Sequence, residues 1–241
     1  MPPRHSVIIP AHNEERYLPR LLDSLDLART VYGDPDAVEV IVADNGSTDR
    51  TADIAAERGC RVFPVEKRVI AAARNGGAAA ARGDVLAFVD ADARVHPNTF
   101  RAIDETLAAG DVVAGATGAR LERWSMGILF TYLTLVPMIY LTGLDTGVVF
   151  CHRDDFKAVG GYDETRLVAE DVAFLLDLRR HGKKNGRRLA RATTAKVIAS
   201  TRKFDQFGDW HYFPLMLEGV RHLLRRDMTG FTDRYWYKPG R

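Results

Sequence analysis

Asp90-Ala91-Asp92 stands where an apolar run, Val85-Leu86-Ala87-Phe88-Val89, comes to an end. Such a run reads as a central parallel strand covered on both faces. Open α/β sheets bind ligands at the carboxyl ends of strands like this one. Two carboxylates placed there are costly unless something positive meets them, and a hard divalent cation carrying phosphate oxygens is the natural partner. Further along, Glu170-Asp171 opens a helical stretch after Leu167-Val168-Ala169. Adjacent acids raise the cost of ionising both, which lifts one pKa toward the range of a general base. The same pair also reads as two acids complementing a helix dipole.

Three more polar segments interrupt the apolar pattern: Pro10-Ala11-His12-Asn13-Glu14, Asp44-Asn45-Gly46-Ser47-Thr48-Asp49 and Arg74-Asn75-Gly76-Gly77. The elements that must hold them follow from periodicity. Residues 6–10, 38–43, 61–65 and 85–89 read as strands. Residues 14–27, a stretch from Ser47 or Thr48 as cap to Arg58, and residues 71–82 read as helices between them. That alternation predicts a parallel sheet with helices on both faces and all four polar segments at strand ends on one edge. Beyond Asp92 the expected order is a helix from Pro97 to Ala109, a strand at 111–115, an apolar helix at 126–144, a strand at 147–151, a helix from Asp154 to Gly160-Gly161, a helix from Glu170 that Gly182 stops, and a strand at 196–200.

Composition narrows the class. With 34 basic and 32 acidic residues the net charge is +2, which gives no case for nucleic acid as a partner. Cys60 and Cys151 form no metal-ligand spacing, and the first residues show no basic-then-apolar leader, so the expected location is cytoplasmic. Residues 126–144 carry no charge and as a helix would reach about 28 Å. Three readings stand for them: a membrane span, a helix buried in the protein, or an interfacial helix lying on a membrane or a partner subunit, a homodimer included. The last 40 residues hold nine of the 22 aromatics, which reads as a packed or partner-binding appendage.

Taken in order, the polar segments resemble family 2 glycosyltransferases of the GT-A fold, among them dolichyl-phosphate-mannose-synthase-like and other bacterial enzymes, over roughly residues 5–200. The resemblance implies an α/β, nucleotide-diphospho-sugar-transferase-like domain over 1–241. Within it, 5–109 would form the nucleotide-sugar half, 110–200 the acceptor half and 201–241 the aromatic-rich appendage. It implies that Pro10, Ala11, Glu14, Asp44, Arg74, Asp90, Ala91 and Asp92 contact the donor. A carboxylate at Asp44 suits the imide N–H of uracil and the N1–H of guanine alike, so UDP- and GDP-linked sugars both fit. Asp92 would hold Mn²⁺ or Mg²⁺, with His211 as a second protein ligand, and Arg202 and Lys203 would clamp the diphosphate.

Glu170-Asp171 resembles the acid pair that follows a Gly160-Gly161-Tyr162-Asp163-Glu164 turn in this family, with Asp171 as base in an inverting displacement. Thr146-Gly147 would shape the acceptor pocket, Gly147 by letting a sugar approach the backbone, and Asp145 would accept an acceptor hydroxyl. The Gln-x-x-Arg-Trp motif of processive synthases is absent, which implies transfer of one sugar at a time to a sugar, a small molecule or a lipid-linked acceptor. A lipid-linked acceptor would bring peripheral contact with the inner face of the membrane. Competing readings are a retaining GT-A enzyme of the glucosyl- or mannosyl-glycerate type, a nucleotidyltransferase, and a non-catalytic nucleotide-sugar-binding protein. A nucleotidyltransferase needs a glycine-rich Arg/Lys loop after the first strand, and His12-Asn13-Glu14-Glu15 is not one.

Overall fold

The computed structural model describes residues 2–142, 144–166 and 169–212, with the side chains of 135–142 excepted. The chain divides into two compact units, Met1–Arg120 with Gly143–Ala199, and Leu121–Thr142 with Ser200–Arg241.

The first unit is built on strands β1 (His5–Ala11), β2 (Val38–Asp44), β3 (Arg61–Pro64), β4 (Val85–Phe88), β5 (Val112–Ala116), β6 (Ala119–Leu121), β7 (Val149–His152), β8 (Arg188–Arg191) and β9 (Val197–Ala199). Seven of them form one sheet in the order β3-β2-β1-β4-β7-β5-β8, and β6 pairs with β9. Within the seven-stranded sheet, neighbouring pairs are parallel except at β7, which runs against both β4 and β5. The mostly parallel sheet is the one expected.

Residues alternate across it. Val7, Ile9 and Val42 face one cluster, with Leu18, Leu21, Leu22 and Leu25 of helix α1 (Leu18–Tyr32) and Phe100, Ile103 and Leu107 of α4 (Thr99–Leu107). Ile8, Ile41, Leu86 and Phe88 face the other, with Ala71 and Ala78 of α3 (Ile70–Ala80) and Phe174, Leu175 and Leu178 of α7 (Glu170–Lys184). Each fully buried Leu, Ile or Phe contributes roughly 1.5–3 kcal/mol to this sandwich.

Several boundaries differ from expectation for identifiable reasons. Helix α1 begins four residues late because Asn13 takes a left-handed φ of 55° and Glu14–Tyr17 forms a turn, with Tyr17 and Leu18 N–H both donating to Glu14 O. Neither Ser47 nor Thr48 caps helix α2 (Thr51–Glu57). Ser47 Oγ instead accepts from Asn13 N–H, and Asp49 Oδ1 accepts from Thr51 N–H at 2.9 Å. Pro97 precedes α4 without opening it.

Arg74-Asn75-Gly76-Gly77 lies inside α3, not at a strand end. A Cβ at Gly77 would stand 2.5 Å from Ile8 Cγ2 and one at Gly76 2.9 Å from Val65 Cγ2, so the glycines let α3 lie against the sheet. Gly182 does not stop α7, which continues to Lys184. Its missing side chain makes room for β5, since a Cβ would meet Val113 Cγ1 at 2.6 Å. Gly182→Ala is therefore expected to lower stability by about 1–3 kcal/mol through overpacking. A urea titration checks this by its midpoint at unchanged slope.

The second unit contains α5 (Met126–Thr142) and α8 (Arg202–Phe207). Arg123 ties its segments together, donating to Asp205 Oδ1 at 2.8 Å and to Asp209 Oδ1 at 2.6 Å. Among the described residues no helix is long and apolar enough to cross a membrane. In the first turns of α5, Met126, Leu129, Phe130 and Leu133 are exposed while Ile128 and Thr131 are buried. Of the expected C-terminal appendage, 213–241 lies outside the described residues.

Candidate functional site

Parallel pairing brings the strand ends to one edge. Ala11 and Asp44 are register partners at the ends of β1 and β2. Asp90 lies two residues beyond the Ile8–Phe88 pair that closes the β1–β4 ladder. The loops leaving β1 and β2 are braced against each other. Asn13 Oδ1 accepts from Thr48 N–H at 2.8 Å, Glu14 N–H donates to Thr51 Oγ1 at 2.8 Å, and Glu15 Oε2 accepts from Arg50 N–H at 3.1 Å. Glu14 is buried. Asp44 Oδ1 accepts from Ser47 N–H at 3.2 Å. Asn45 extends the bracing, donating from Nδ2 to the carbonyls of Val65 and Lys67.

Arg74 is the centre of the arrangement. Its buried guanidinium donates to Asp90 Oδ1 at 2.9 Å, to Glu170 Oε1 at 3.0 Å, and at short range to Asp171 Oδ1. The guanidinium carbon sits 5.1 Å from the centroid of the Tyr162 ring, a cation–π contact. Arg74 Nε is buried with no hydrogen-bond partner among the described residues. Tyr162 stacks on Phe174 at 4.1 Å and meets Phe88 edge-on at 5.1 Å, so the apolar cluster over α7 fixes the ring. Its hydroxyl is buried beside Asp171 without a hydrogen bond of ordinary geometry.

Asn75, the next residue of α3, pins the loop that carries Tyr162. Its Oδ1 accepts from Tyr162 N–H at 2.8 Å, and its Nδ2 donates to Tyr162 O at 2.9 Å and Glu164 Oε1 at 3.0 Å. Lys67 adds an ion pair to Glu164 at 2.8 Å. Sequence reasoning assigned no role to Tyr162, Asn75, Lys67 or Glu164. The Gly160-Gly161-Tyr162-Asp163-Glu164 turn was visible, but not the helix it docks on.

The charges are unbalanced in an informative way. Burial penalises the Arg74 cation, yet Asp171, Tyr162, Asp90 and Glu170 outweigh it and hold the guanidinium firmly charged. Burial pushes the Asp171 carboxyl above its ordinary value, Arg74 opposes the shift, and Asp90 adds to it. Glu170 moves the same way, raised by burial and by Asp171 against the pull of Arg74. Ala169, immediately before the pair, is a non-glycine residue at φ 57°, the type of backbone outlier that clusters at functional sites.

Asp90 is 60% exposed at its side chain, with one oxygen on Arg74, and Asp92 is half-buried. Among the described residues no three His, Cys, Asp or Glu side chains converge to hold a metal by themselves. One or two strand-end carboxylates suit a hard cation that completes its shell with phosphate and water oxygens, so the donor set fits Mg²⁺ or Mn²⁺ carried with a diphosphate.

Asp145, in the first unit, is held by partners outside this cluster. Asp145 is buried, with Oδ2 on Arg191 Nε at 2.6 Å and Oδ1 accepting from Thr146 N–H at 2.9 Å, so its oxygens are already engaged. Gly147 has φ 97°, and a Cβ there would stand 2.4 Å from Gly118 O; glycine is required by a backbone contact within the protein, whatever approaches from outside. Arg202, Lys203 and His211 belong to the second unit. There His211 Nδ1 donates to Gly208 O at 2.6 Å, and its ring packs on Phe204 and Tyr212.

Comparison with known proteins identifies the family and the fold. The chain is 37% identical over 123 residues to an undecaprenyl-phosphate 4-deoxy-4-formamido-L-arabinose transferase of Pseudomonas paraeruginosa, covering 46% of this chain and 34% of that one. It spans well under half the length of the curated relatives it matches, 23% to 38%. The S. aureus TarS 1-349 structure in complex with UDP-GlcNAc superposes with a TM-score of 0.62 at 22% identity, over 82% of this chain and 58% of that one. Glucosyl-3-phosphoglycerate synthase from Mycobacterium tuberculosis, in complex with Mn²⁺, UDP and glucosyl-3-phosphoglycerate, gives a TM-score of 0.59 at 21% identity over 88% and 78%. These likenesses show the GT-A fold. Residues 6–127 match the family model described as glycosyl transferase family 2, and with half of its length inside that match the chain belongs to this family.

Proposed function

We propose that the chain is a metal-dependent, inverting glycosyltransferase that moves one sugar at a time from a UDP- or GDP-linked donor to an acceptor hydroxyl. The observation that carries this reading is the gathering of Asp90, Glu170 and Asp171 on the buried Arg74 at the carboxyl edge of the sheet, next to Asp92. Acids from two distant segments meet where an α/β sheet takes its ligand, and two of them, Glu170 and Asp171, have raised pKa values.

In this reading Glu14 and Asp44 accept from the base and ribose, and Pro10 and Ala11 line the floor between them. Asp90 and Ala91 adjoin the sugar, and Arg74 acts behind the carboxylates instead of on the diphosphate. Asp92 would hold the cation, with His211 proposed as second protein ligand and Arg202 and Lys203 as the diphosphate clamp. A divalent cation bound there supplies the charge that stabilises a departing nucleoside diphosphate. Asp171 takes the proton of the acceptor hydroxyl as the oxygen bonds to the anomeric carbon from the face opposite the breaking C–O bond to the diphosphate. Glu170 keeps Arg74 occupied beside it. Thr146 and Gly147 border the acceptor. The relative named as an undecaprenyl-phosphate transferase supports a lipid-linked acceptor beside sugars and small molecules.

Proton NMR of the first-formed product tests the stereochemistry. Inversion of the donor's anomeric configuration is expected, and retention would move the chain to the glucosyl-glycerate type of mechanism. Chelation with EDTA is expected to stop turnover, with Mn²⁺ or Mg²⁺ restoring it. Turnover that persists in EDTA would remove the cation from the account.

A further inference from the structure

We infer that the second unit docks on an anionic membrane surface through the exposed apolar face of α5. Met126, Leu129, Phe130 and Leu133 follow the i, i+3, i+4, i+7 spacing that normally turns toward a core. Among the described residues that face is open: Met126 is 63% exposed and Leu133 56%, whereas Ile128 and Thr131 on the opposite side are buried. Trp124, Phe207 and Trp210 of the same unit are also exposed, and the Trp210 ring lies 5.9 Å from Phe130. The hydroxyls of Thr131 and Thr134 are satisfied by the helix's own backbone, Thr131 donating to Gly127 O at 2.9 Å and Thr134 to Thr131 O at 2.7 Å. The face therefore enters an apolar medium without stranding a donor.

Charge selects the occupant. Residues 121–142 and 200–241 contain nine basic and six acidic side chains, so this unit carries +3 and the remainder of the chain −1. Tryptophans seek the membrane–water boundary, where an apolar ring and a polar N–H are both accommodated, and all three in the chain, at 124, 210 and 236, fall in this unit. A second copy of the chain is the weaker partner, because a two-fold contact would set two +3 units against each other. Anionic headgroups complement the charge, and the boundary of the acyl region takes the apolar face.

The test uses the full chain, with neither donor nor acceptor, and vesicles of phosphatidylcholine alone or with about 30% phosphatidylglycerol. Co-sedimentation and a blue shift of tryptophan emission are expected with the anionic vesicles, and both weaken as salt is raised. Because every tryptophan lies in this unit, the emission shift reports on it alone. Leu133→Glu is expected to cut the bound fraction at least about tenfold. Leu27→Glu, an equally exposed leucine of the first unit, should leave it unchanged. Circular dichroism confirms that both variants are folded. No sedimentation with anionic vesicles, or equal binding by Leu133→Glu, would overturn the proposal. So would a dimer in size-exclusion chromatography that Leu133→Glu dissociates while vesicles remain unbound.

Discussion

Asp171→Asn is expected to lower kcat by about 10²- to 10⁴-fold, the range for losing a positioned general base, while leaving the protein at least as stable as before. The two halves of this expectation come from one cause. Burial, augmented by the nearby Asp90 charge, raises the Asp171 pKa against the pull of Arg74. In the folded state the carboxyl binds its proton more tightly than in the unfolded chain, so ionising it costs stability as pH rises through that window. Above the folded pKa the ionised group is a burden on the fold and a base for the reaction. Asparagine removes both. Steady-state kinetics read the first effect and a thermal melt the second. A loss of activity accompanied by collapse of the fold would assign Asp171 a structural duty instead. The pH–rate profile of the wild type carries the same sign: activity falls as pH drops through a pKa raised above the ordinary aspartate value.

Arg74→Gln is expected to be the most damaging change to stability in the site, by about 3–5 kcal/mol, because it leaves Glu170 and Asp171 as half-buried carboxylates without their cation. For a chain of this length that corresponds to a drop in Tm on the order of 10 °C. It should also move the acid limb of the pH–rate profile upward. Arg74 is the group that lowers the pKa of Asp171, and removing it lets burial and Asp90 act unopposed. Arg74→Lys keeps the charge but not the fork that reaches three carboxylates, so it should restore the pH profile better than the melting temperature. A nucleotide-contacting arginine would behave differently, raising KM for the donor with little effect on Tm. The split between stability and KM thus separates the role seen in the structure from the one implied by resemblance.

The edge of the sheet was largely legible in the sequence, and its interior wiring was not. The run 85–89 followed by Asp-x-Asp could only end a buried strand, and the register of β1, β2 and β4 puts Ala11, Asp44 and Asp90 where the alternation placed them. Glu170-Asp171 was visible as a helix start for the same reason that acids favour such positions. What the sequence hid is contact across long separations: Arg74 meets residues 16, 96 and 97 positions away, and nothing in its local spacing distinguishes a buried fork from a surface arginine.

Strand β8 escaped notice because it lies at the edge of the sheet, where Arg188-Leu189-Ala190-Arg191 needs no apolar run. Gly182 was misread because a glycine that makes room for Val113 looks, in sequence, like one that ends a helix. The same ambiguity affected α5. A charge-free stretch points to apolar surroundings, but sequence does not tell whether those are the protein's own core or something outside it.

Donor binding with and without the cation tests the central claim most directly. Isothermal titration of UDP- and GDP-linked sugars into the wild type and Asp92→Ala, each with Mn²⁺ and with EDTA, isolates the strand-end carboxylates from the chemistry. The account predicts that one donor binds the wild type at least about tenfold tighter with Mn²⁺ than without, and that Asp92→Ala erases the difference while remaining folded. Equal affinity with and without the metal, or an Asp92→Ala protein that keeps the full enhancement, would contradict it.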